Sequence, residues 1–375
     1  MDTVDWANPP TGEVPRAFTP IPGPRSSELH ARMVRHTAGG VSHAVRLLPV
    51  AFDRGHGVTL VDVDGNTYLD FAAGGAVVNL GHAHPAVAEA VAAAAASLEA
   101  SHDFATPFKV AAQEKLASVT PSGMTLFTFF SSGAEALDAA RRVARAATGQ
   151  PEVVVTPWNG GSVPCDPEQV QRVAATARDD GAVLVADEIT TGFGRTGSWF
   201  AVDTAAIVPD VLVMGKGLGN GFPVTAIAVK EAHVEALAES VPVTSHGGNP
   251  LACAAVGAVI DTMQQEALVE HCAAVGEWAL GQIDALAERH PAIGGAWGRG
   301  ALLGLDVAPD LLVAEPGIDV AGSVFRHALA TGLLVGLDGH RLLLTPPIVV
   351  TTESFETALA LLDDAIGAVE REAGW

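Results

Sequence analysis

The sequence predicts an α/β fold built on a large, mostly parallel β-sheet with helices on its faces. Between residues 125 and 229, short apolar runs alternate with segments of helical periodicity. This alternation is typical of parallel strands that are joined by crossover helices. The chain has 375 residues, of which 49% are hydrophobic and 17% charged, so it is globular in composition and long enough for two packed subdomains.

The N-terminal part of the chain carries signals for an arm and a hairpin. Six prolines between residues 9 and 24 disfavour regular structure there, and a short helix is predicted for residues 26–35. Two β-rich halves of segment 58–70 flank Asp64-Gly65-Asn66, which predicts a hairpin. A helix is predicted to start near Pro85, because proline suits the first position of a helix.

The rest of the chain divides into a sheet region and a smaller α+β region. The predicted strands of the sheet are 125–130, 153–155, 183–186, 211–214 and 224–229, with helices at 133–147 and 167–179. Residues 250–287 are predicted to be helical, and strands are predicted at 302–307 and 341–344. The predicted domains are residues 1–57 (arm and part of a small domain), 58–250 (large domain) and 251–375 (long helix and C-terminal small domain).

Composition excludes several classes of function. The net charge of -22 and the lack of any basic run argue against a nucleic-acid partner. Cys165, Cys253 and Cys272 are too few and too widely spaced for a disulfide framework or a zinc site, so no metal is predicted and a cytoplasmic location is expected. Residues 1–19 lack the features of a signal peptide, and the apolar stretch 90–96 is too short to cross a membrane.

The first of three polar segments that follow predicted strands is residues 131–136. Ser132 and Glu135 have the spacing of a capping box. The amides of Gly133 and Ala134, with the helix dipole behind them, make an anion site, and Gly133 lets a phosphate approach the backbone. An ordinary helix cap remains the alternative interpretation of this segment taken alone.

The second segment contains Asp187, which directly follows four apolar residues of a predicted strand. A carboxylate in that place is largely desolvated and requires a cation or a hydrogen-bond donor. The protonated nitrogen of a pyridine ring is one such partner, and a cap of the following loop is the alternative.

The third segment contains Lys216, which follows the buried run 211–214. A lysine in apolar surroundings has a lowered pKa and is a better amine nucleophile. The surrounding glycines fit neither the dinucleotide fingerprint nor the phosphate-loop motif. Together the three segments supply a phosphate cradle, an acid for a ring nitrogen and a Schiff-base lysine, which is the set that pyridoxal 5'-phosphate requires.

At this point the chain resembles class III aminotransferases of fold type I, the group that includes 4-aminobutyrate and ornithine aminotransferases. The segments that carry the resemblance are 21–26, 62–71, 81–85, 132–136, 187–197, 209–210, 216–217, 247–253 and 299–304. The resemblance implies a fold type I α/β enzyme that uses pyridoxal phosphate and works as a homodimer with a shared active site.

The resemblance also implies roles for individual residues. Lys216 would form the internal aldimine and shuttle the proton at the substrate carbon, and Asp187 would keep the pyridine nitrogen protonated. Ser132, Gly133 and Ala134 would bind the phosphate. Two further positions carry a hydroxyl residue: Ser245 stands where a threonine contacts the phosphate from the partner subunit, and Thr190 stands where a glutamine usually contacts the phenolic oxygen of the cofactor.

The chain departs from the family after Gly149. The family continues there into several tens of residues that supply an aromatic ring stacked on the cofactor, whereas this chain runs almost directly into residues 153–161. Trp158 is a candidate replacement, and a structural tryptophan is the alternative. We expect the partner subunit or the N-terminal arm to cover the cofactor face that the deletion opens.

A second departure concerns substrate recognition. Leu343 stands where many members carry a carboxylate-binding arginine, and Arg341 lies two residues earlier on the same strand face. An arginine–carboxylate pair is a principal means of selecting amino acids, so its loss argues against a standard 4-aminobutyrate or ornithine enzyme. The predicted function is the transfer of an amino group between an amine or amino acid and a carbonyl acceptor. The alternatives are an epimerase, aminomutase or decarboxylase with the same cofactor, or a catalytically silent homologue.

Overall fold

The computed structural model describes residues 14–39, 42–156, 158–159, 163–164, 166–242, 244–308 and 319–375. They form two compact units. The first contains residues 14–75, 81–84 and the chain from 274 onward, and the second contains residues 76–80 and 85–273. This division differs in position from the predicted boundaries near residues 58 and 250, because the hairpin that follows residue 58 packs within the first unit.

The strands predicted from apolar runs are present, and the described chain contains further strands that the sequence did not predict. In chain order the strands are β1 (Phe52–His56), β2 (Thr59–Asp62), β3 (Thr67–Asp70), β4 (Leu126–Phe130), β5 (Val153–Val155), β6 (Trp158–Asn159), β7 (Val163–Pro164), β8 (Leu184–Asp187), β9 (Val211–Met214), β10 (Thr225–Val229), β11 (Ile293–Arg299), β12 (Leu302–Val307), β13 (Leu333–Leu334), β14 (Gly336–Asp338) and β15 (Arg341–Leu344).

The helices include one that begins at Pro85 and one that follows Ser132, both as predicted. In chain order the helices are α1 (Pro24–Val34), α2 (His43–Leu47), α3 (Ala73–Ala76), α4 (Pro85–Ala95), α5 (Pro107–Val119), α6 (Gly133–Thr148), α7 (Pro167–Asp179), α8 (Val234–Ser240), α9 (Pro250–Gln265), α10 (Leu268–Arg289), α11 (Val320–Ala330) and α12 (Thr352–Ala373). Short 3-10 turns occupy Ala201–Ala205, Lys216–Gly219 and Glu231–His233.

The second unit is built on a five-stranded sheet in the order β4-β10-β9-β8-β5. Strands β5, β8 and β9 pair in parallel, and β10 is antiparallel to both of its neighbours, so four strands run one way and one runs the other. Every residue of β9 and β10 is buried, as expected for strands covered on both faces. The prediction of a mostly parallel sheet within an α/β fold is therefore confirmed.

Helix α6 covers one face of this sheet with small side chains. Its buried residues recur at helical spacing and pack against β8, β9 and β10; they are Ala136, Ala139, Ala140, Val143 and Ala144. Alanines allow close approach of the helix to the sheet, and this packing fixes where the N-terminus of α6 lies relative to the strand ends.

The first unit is the smaller α+β region expected from the sequence. It contains one sheet in the order β1-β2-β3-β13 and another in the order β11-β12-β15-β14. A single apolar core joins these sheets to α11 and α12. The predicted hairpin is β2–β3, and its turn contains Gly65 with φ of 94°, a left-handed conformation that glycine adopts without strain.

The described part of the N-terminal arm is attached to this hairpin. Asn66 Oδ1 accepts hydrogen bonds from the backbone N–H groups of Phe18 and Thr19, at 2.7 and 2.9 Å. Asp64 accepts from the N–H groups of Arg25 and Ser26, at 2.9 and 2.8 Å, and so caps α1 from outside the helix. Residues 14–23 contain no helix, in line with the predicted arm.

Some sequence-based expectations concern residues that lie outside the described ranges. Residues 1–13 lie outside the described residues, and so does the side chain of Trp158, although its backbone belongs to β6. The cover over the cofactor face that was expected from Trp158, the arm or a partner therefore stays a prediction. No helix among the described residues has the length and apolar character needed to span a bilayer.

Candidate active site

Three polar segments of the second unit follow the C-terminal ends of β4, β8 and β9. Ser132 lies two residues after β4, Asp187 is the last residue of β8, and Lys216 lies two residues after β9. Because these strands run in the same direction, their ends lie at one edge of the sheet, where α/β proteins bind ligands.

The segment after β4 forms the predicted capping box. Ser132 Oγ accepts from the N–H of Glu135 at 3.4 Å, and Glu135 Oε2 accepts from the N–H of Ser132 at 2.9 Å. No hydrogen bond within the described residues uses the N–H groups of Gly133 and Ala134. These amides stand at the N-terminus of the 16-residue helix α6, where the helix dipole favours an anion.

Ile189 and Thr225 connect the segments to one another. A Cβ on Gly133 would lie 3.0 Å from Ile189 Cδ1, and a Cβ on Gly215 would lie 3.2 Å from Ile189 Cγ2. Thr225 Oγ1 donates to the carbonyl oxygen of Ser132 at 2.9 Å, and its methyl group faces Gly215. The N-terminus of α6 and the segment that leads to Lys216 thus both pack against Ile189, which follows Asp187 in the sequence.

Asp187 carries a carboxylate at a place that disfavours charge. Burial raises its pKa, while the N–H of Ile189, which donates to Oδ1 at 3.2 Å, and the nearby ammonium of Lys216 act in the opposite direction. The carboxylate is therefore a strong acceptor for a further cation or N–H donor. A protonated pyridine nitrogen has that character.

Lys216 is half-buried and has a backbone φ of 46°, in the left-handed region. Burial lowers the pKa of its amine, the positive charge of Arg195 lowers it further, and Asp187 partly opposes both effects. A larger fraction of the amine is therefore neutral at physiological pH than for a lysine in water, which suits a nucleophile.

The remaining predicted site residues lie in loops of the same unit. Thr190 is half-buried in the loop that follows Asp187 and Ile189. Ser245 is exposed in the segment between α8 and α9, whose turn is closed by a hydrogen bond from the N–H of Gly247 to Thr244 Oγ1 at 3.0 Å.

Sequence reasoning missed the contribution of Ile189 and Thr225, and it missed Glu188. Glu188 is fully buried and accepts from Thr191 Oγ1 and from the N–H groups of Ala201 and Val202. An acid beside Asp187 at the end of a buried strand was a usable signal for a buried carboxylate.

Arg341, the alternative carboxylate ligand considered from the sequence, is occupied in the first unit. Its Nε donates to Asp306 Oδ1 at 2.9 Å across the β12–β15 pair. The neighbouring Leu343 is half-buried in β15.

The donor set fits pyridoxal phosphate. Two helix-terminal amides can receive a phosphate, an acid with a raised pKa can hold a ring nitrogen, and an amine with a lowered pKa can bind an aldehyde. Among the described residues, no group of acidic, histidine and cysteine side chains has the arrangement of a metal site.

The chain matches known proteins over most of its length. The profile of the class-III aminotransferase family matches residues 41–157 and 153–366, and the two segments meet where the sequence departs from the family after Gly149. The acetylornithine aminotransferase of Archaeoglobus fulgidus is 30% identical over 377 residues, covering 84% of this chain and 94% of that protein. The alanine/serine racemase of Pyrococcus horikoshii is 26% identical over 456 residues, covering 96% and 95%.

A solved structure shows the same fold. The acetylornithine aminotransferase from Elizabethkingia anophelis aligns with a TM-score of 0.83 and 25% identity, over 92% of this chain and 99% of that one. The fold and the site thus define a fold type I enzyme that uses pyridoxal phosphate. The chain belongs to the class-III aminotransferase family, and it is an aminotransferase.

Proposed function

We propose that the strand-end site of the second unit is the active site, with Lys216 holding the cofactor and Asp187 holding its ring nitrogen. The electrostatic interaction between these two side chains supports this proposal most directly. Burial shifts the pKa of the amine downward and that of the acid upward, and each counteracts the shift of the other. Ile189, whose N–H binds Asp187, packs against Gly133 at the N-terminus of α6 and against Gly215 next to Lys216.

The chemistry divides among residues by their position. Pyridoxal phosphate, when bound, withdraws electrons from the reacting carbon of the substrate. Asp187 would keep a proton on the ring nitrogen, the amides of Gly133 and Ala134 with Ser132 would bind the phosphate, and the amine of Lys216 would take and return the proton at the substrate carbon. Thr190 would contact the phenolic oxygen in this assignment.

The proposed assembly is a homodimer in the cytoplasm. Ser245 is exposed in the segment before α9, which suits a hydroxyl that reaches the phosphate of a partner subunit. Cys253 and Cys272 are buried free thiols, in keeping with a reducing compartment.

The proposed substrate class is an amine or amino acid that is selected without Arg341. The ion pair of Arg341 with Asp306 holds that guanidinium in the first unit, which supports a substrate whose recognition does not depend on it. A screen of amine donors with a carbonyl acceptor tests this, and Arg341→Gln is expected to change the KM for the best donor by less than about threefold. A much larger rise in KM with an unchanged kcat would assign the carboxylate to Arg341.

The first test of the site is the visible absorption spectrum of the purified protein with and without borohydride. We expect a yellow band that borohydride removes, with the cofactor left on the peptide that contains Lys216. Lys216→Ala is expected to lack the band and to lose at least about a thousandfold in kcat. Lys230→Ala, which removes an ion-paired lysine elsewhere in the same unit, is the matched control and should keep both. Retention of the reducible band in Lys216→Ala would refute the assignment.

A further inference from the structure

The short segment before residue 81 lies along the loop that carries Lys216. The N–H of Leu80 donates to Asn220 Oδ1 at 2.8 Å. The side chain of Asn79 packs against Gly217 so closely that a Cβ there would lie 2.7 Å from Asn79 Cγ. Asn79 and Leu80 therefore contact both ends of residues 215–220, the lysine loop, which carries Lys216.

This confinement acts on a strained backbone. Lys216 and Asn220, which begin and follow the 3-10 turn Lys216–Gly219, both have φ of 46°. Residues with a Cβ rarely adopt this conformation, so the surroundings must hold it. The contacts of Asn79 and Leu80 fall on this turn and direct the lysine side chain that leaves it.

Asn79 also binds a buried cation. Its Oδ1 accepts from Arg195 Nη2 at 2.6 Å, and its Nδ2 donates to the carbonyl oxygen of Phe193 at 2.8 Å. Asn79 is 1% exposed and Arg195 is completely buried. A guanidinium stays charged at any accessible pH, so the amide holds a permanent positive charge inside the unit.

The charged groups that act on Lys216 are Arg195 and Asp187. A fixed cation disfavours the ammonium form of a nearby amine, and the effect is strong where water is excluded. Asn79 is neutral, so it orients the guanidinium without cancelling its charge. An aspartate of the same size at this position would cancel it.

We propose that Asn79 and Arg195 are positioning residues for Lys216: Asn79 holds the lysine loop in its left-handed conformation, and Arg195, which Asn79 binds, places a buried positive charge beside that loop. The proposal deepens the function proposed above and rests on Lys216 as the cofactor lysine. It predicts that changing the charge at Asn79 or Arg195 alters the proton affinity of Lys216 without any direct contact with substrate.

The test measures the reactivity of Lys216 in the full-length chain from which the cofactor has been removed. The chain has four lysines, and the other three are ion-paired: Lys109 with Asp103, Lys115 with Asp261 and Lys230 with Asp210. Acetic anhydride labels neutral amines, and peptide mass spectrometry at several pH values gives the midpoint for each lysine. Lys115 and Lys230 serve as internal standards.

Asn79→Asp and Arg195→Met are the informative variants, and Arg195→Lys is the conservative one that keeps a cation. At about pH 8 we expect labelling of Lys216 to fall about three- to tenfold in the first two and to stay within about twofold in Arg195→Lys. In the cofactor-loaded protein, the midpoint of the pH-dependent visible absorbance should rise in the same two variants. Gln264→Glu, an amide-to-acid change at an exposed position of α9, should leave both readouts unchanged.

A Lys216 midpoint that is the same in wild type and in folded Asn79→Asp and Arg195→Met would overturn the electrostatic role. Asn79→Ser tests the role in geometry, because it keeps an acceptor for Arg195 and removes the contact with Gly217; we expect about tenfold weaker cofactor binding, and unchanged binding would overturn that role. The active-site assignment and the positioning role can be refuted independently. Borohydride trapping on another lysine would refute the active-site assignment, and the labelling profile of Lys216 would still test the positioning role.

Discussion

At the scale of single residues, the buried carboxyl group of Glu188 makes the stability of the protein depend on pH. Burial raises its pKa from 4.5 to about 7, although three hydrogen bonds to the carboxylate act against that rise. Between these pH values the folded protein holds a proton that the unfolded chain has released. The contribution of this residue to stability is therefore highest at low pH and falls as the pH rises toward 7.

Glu188→Gln removes that titration. Between about pH 5 and about pH 8, we expect the free energy of unfolding of the wild type to fall by about 3 kcal/mol relative to that of the variant. Urea denaturation at both pH values measures it, and Glu353→Gln, at an exposed position, should behave like the wild type. Parallel pH dependence of wild type and Glu188→Gln would contradict the prediction.

Some residues of the site can be predicted from the sequence and others cannot. Ser132 and Glu135 were predictable because a capping box is local, and Asp187 and Lys216 because each ends an apolar run. The contacts of Asn79 with Phe193 and Arg195 join residues more than a hundred positions apart, and nothing local indicates such pairs. The ion pair of Arg341 likewise required the register of β12 against β15.

At the scale of elements, the end of α10 is fastened to α12 by His290. Its Nδ1 lies 2.8 Å from Glu370 Oε2 and its Nε2 lies 2.9 Å from Asp363 Oδ1, a carboxylate that also binds Arg289. Burial alone lowers the pKa of this imidazole, but the hydrogen bonds and charges of the two carboxylates outweigh burial and raise it. The stabilisation is thus present below the ordinary histidine pKa of 6.5 and is lost as the pH rises through the higher value of the folded state.

His290→Gln is therefore expected to lose more stability in acid than in base. Melting temperatures at about pH 5.5 and about pH 9 should show a deficit of roughly 2–4 °C at the lower pH that shrinks at the higher one. His327 also faces a carboxylate, Glu372 at 3.2 Å, but is more exposed, so His327→Gln is the control and should cost less. A deficit that grows with pH would show that the imidazole is held neutral.

The helix α1 depends on a cap that comes from another element. Gly23, its N-cap, has no side chain to offer, and Asp64 in the β2–β3 turn supplies the acceptor instead. We expect Asp64→Ala to free the start of α1, so that trypsin cuts after Arg25 several times faster than in the wild type. Asp53→Ala, at an exposed aspartate of β1, is the matched control. Equal cutting rates in both variants would assign the stability of α1 to its packing.

The boundaries of the elements followed from the sequence more closely than their pairing did. Strands β5 and β9 have the predicted bounds, and β8 is displaced by one residue so that Asp187 belongs to the strand. The reversed direction of β10 was not predicted, because an apolar run carries no sign of its orientation.

At the scale of the whole molecule, the shared active site can be tested by mixing subunits. Lys216→Ala lacks the amine, and Ser245→Glu places a negative charge where the proposed site meets a phosphate. If Ser245 acts across a dimer interface, hybrids of the two inactive variants contain one intact site, and random mixing restores about a quarter of the wild-type activity. If Ser245 acts within its own subunit, mixing restores nothing. Sedimentation of the wild type gives the number of chains.

The pairing of three lysines with aspartates has a practical consequence for attachment chemistry. With Lys109, Lys115 and Lys230 each held by a carboxylate, the protein offers solid supports and crosslinkers very few reactive amines away from its chain terminus. Immobilisation through amines would therefore act on three lysines that are paired with carboxylates and on the half-buried Lys216, whose reaction would inactivate the protein. Supports that react with carboxylates, which the chain carries in excess, would anchor it from many directions and leave Lys216 untouched.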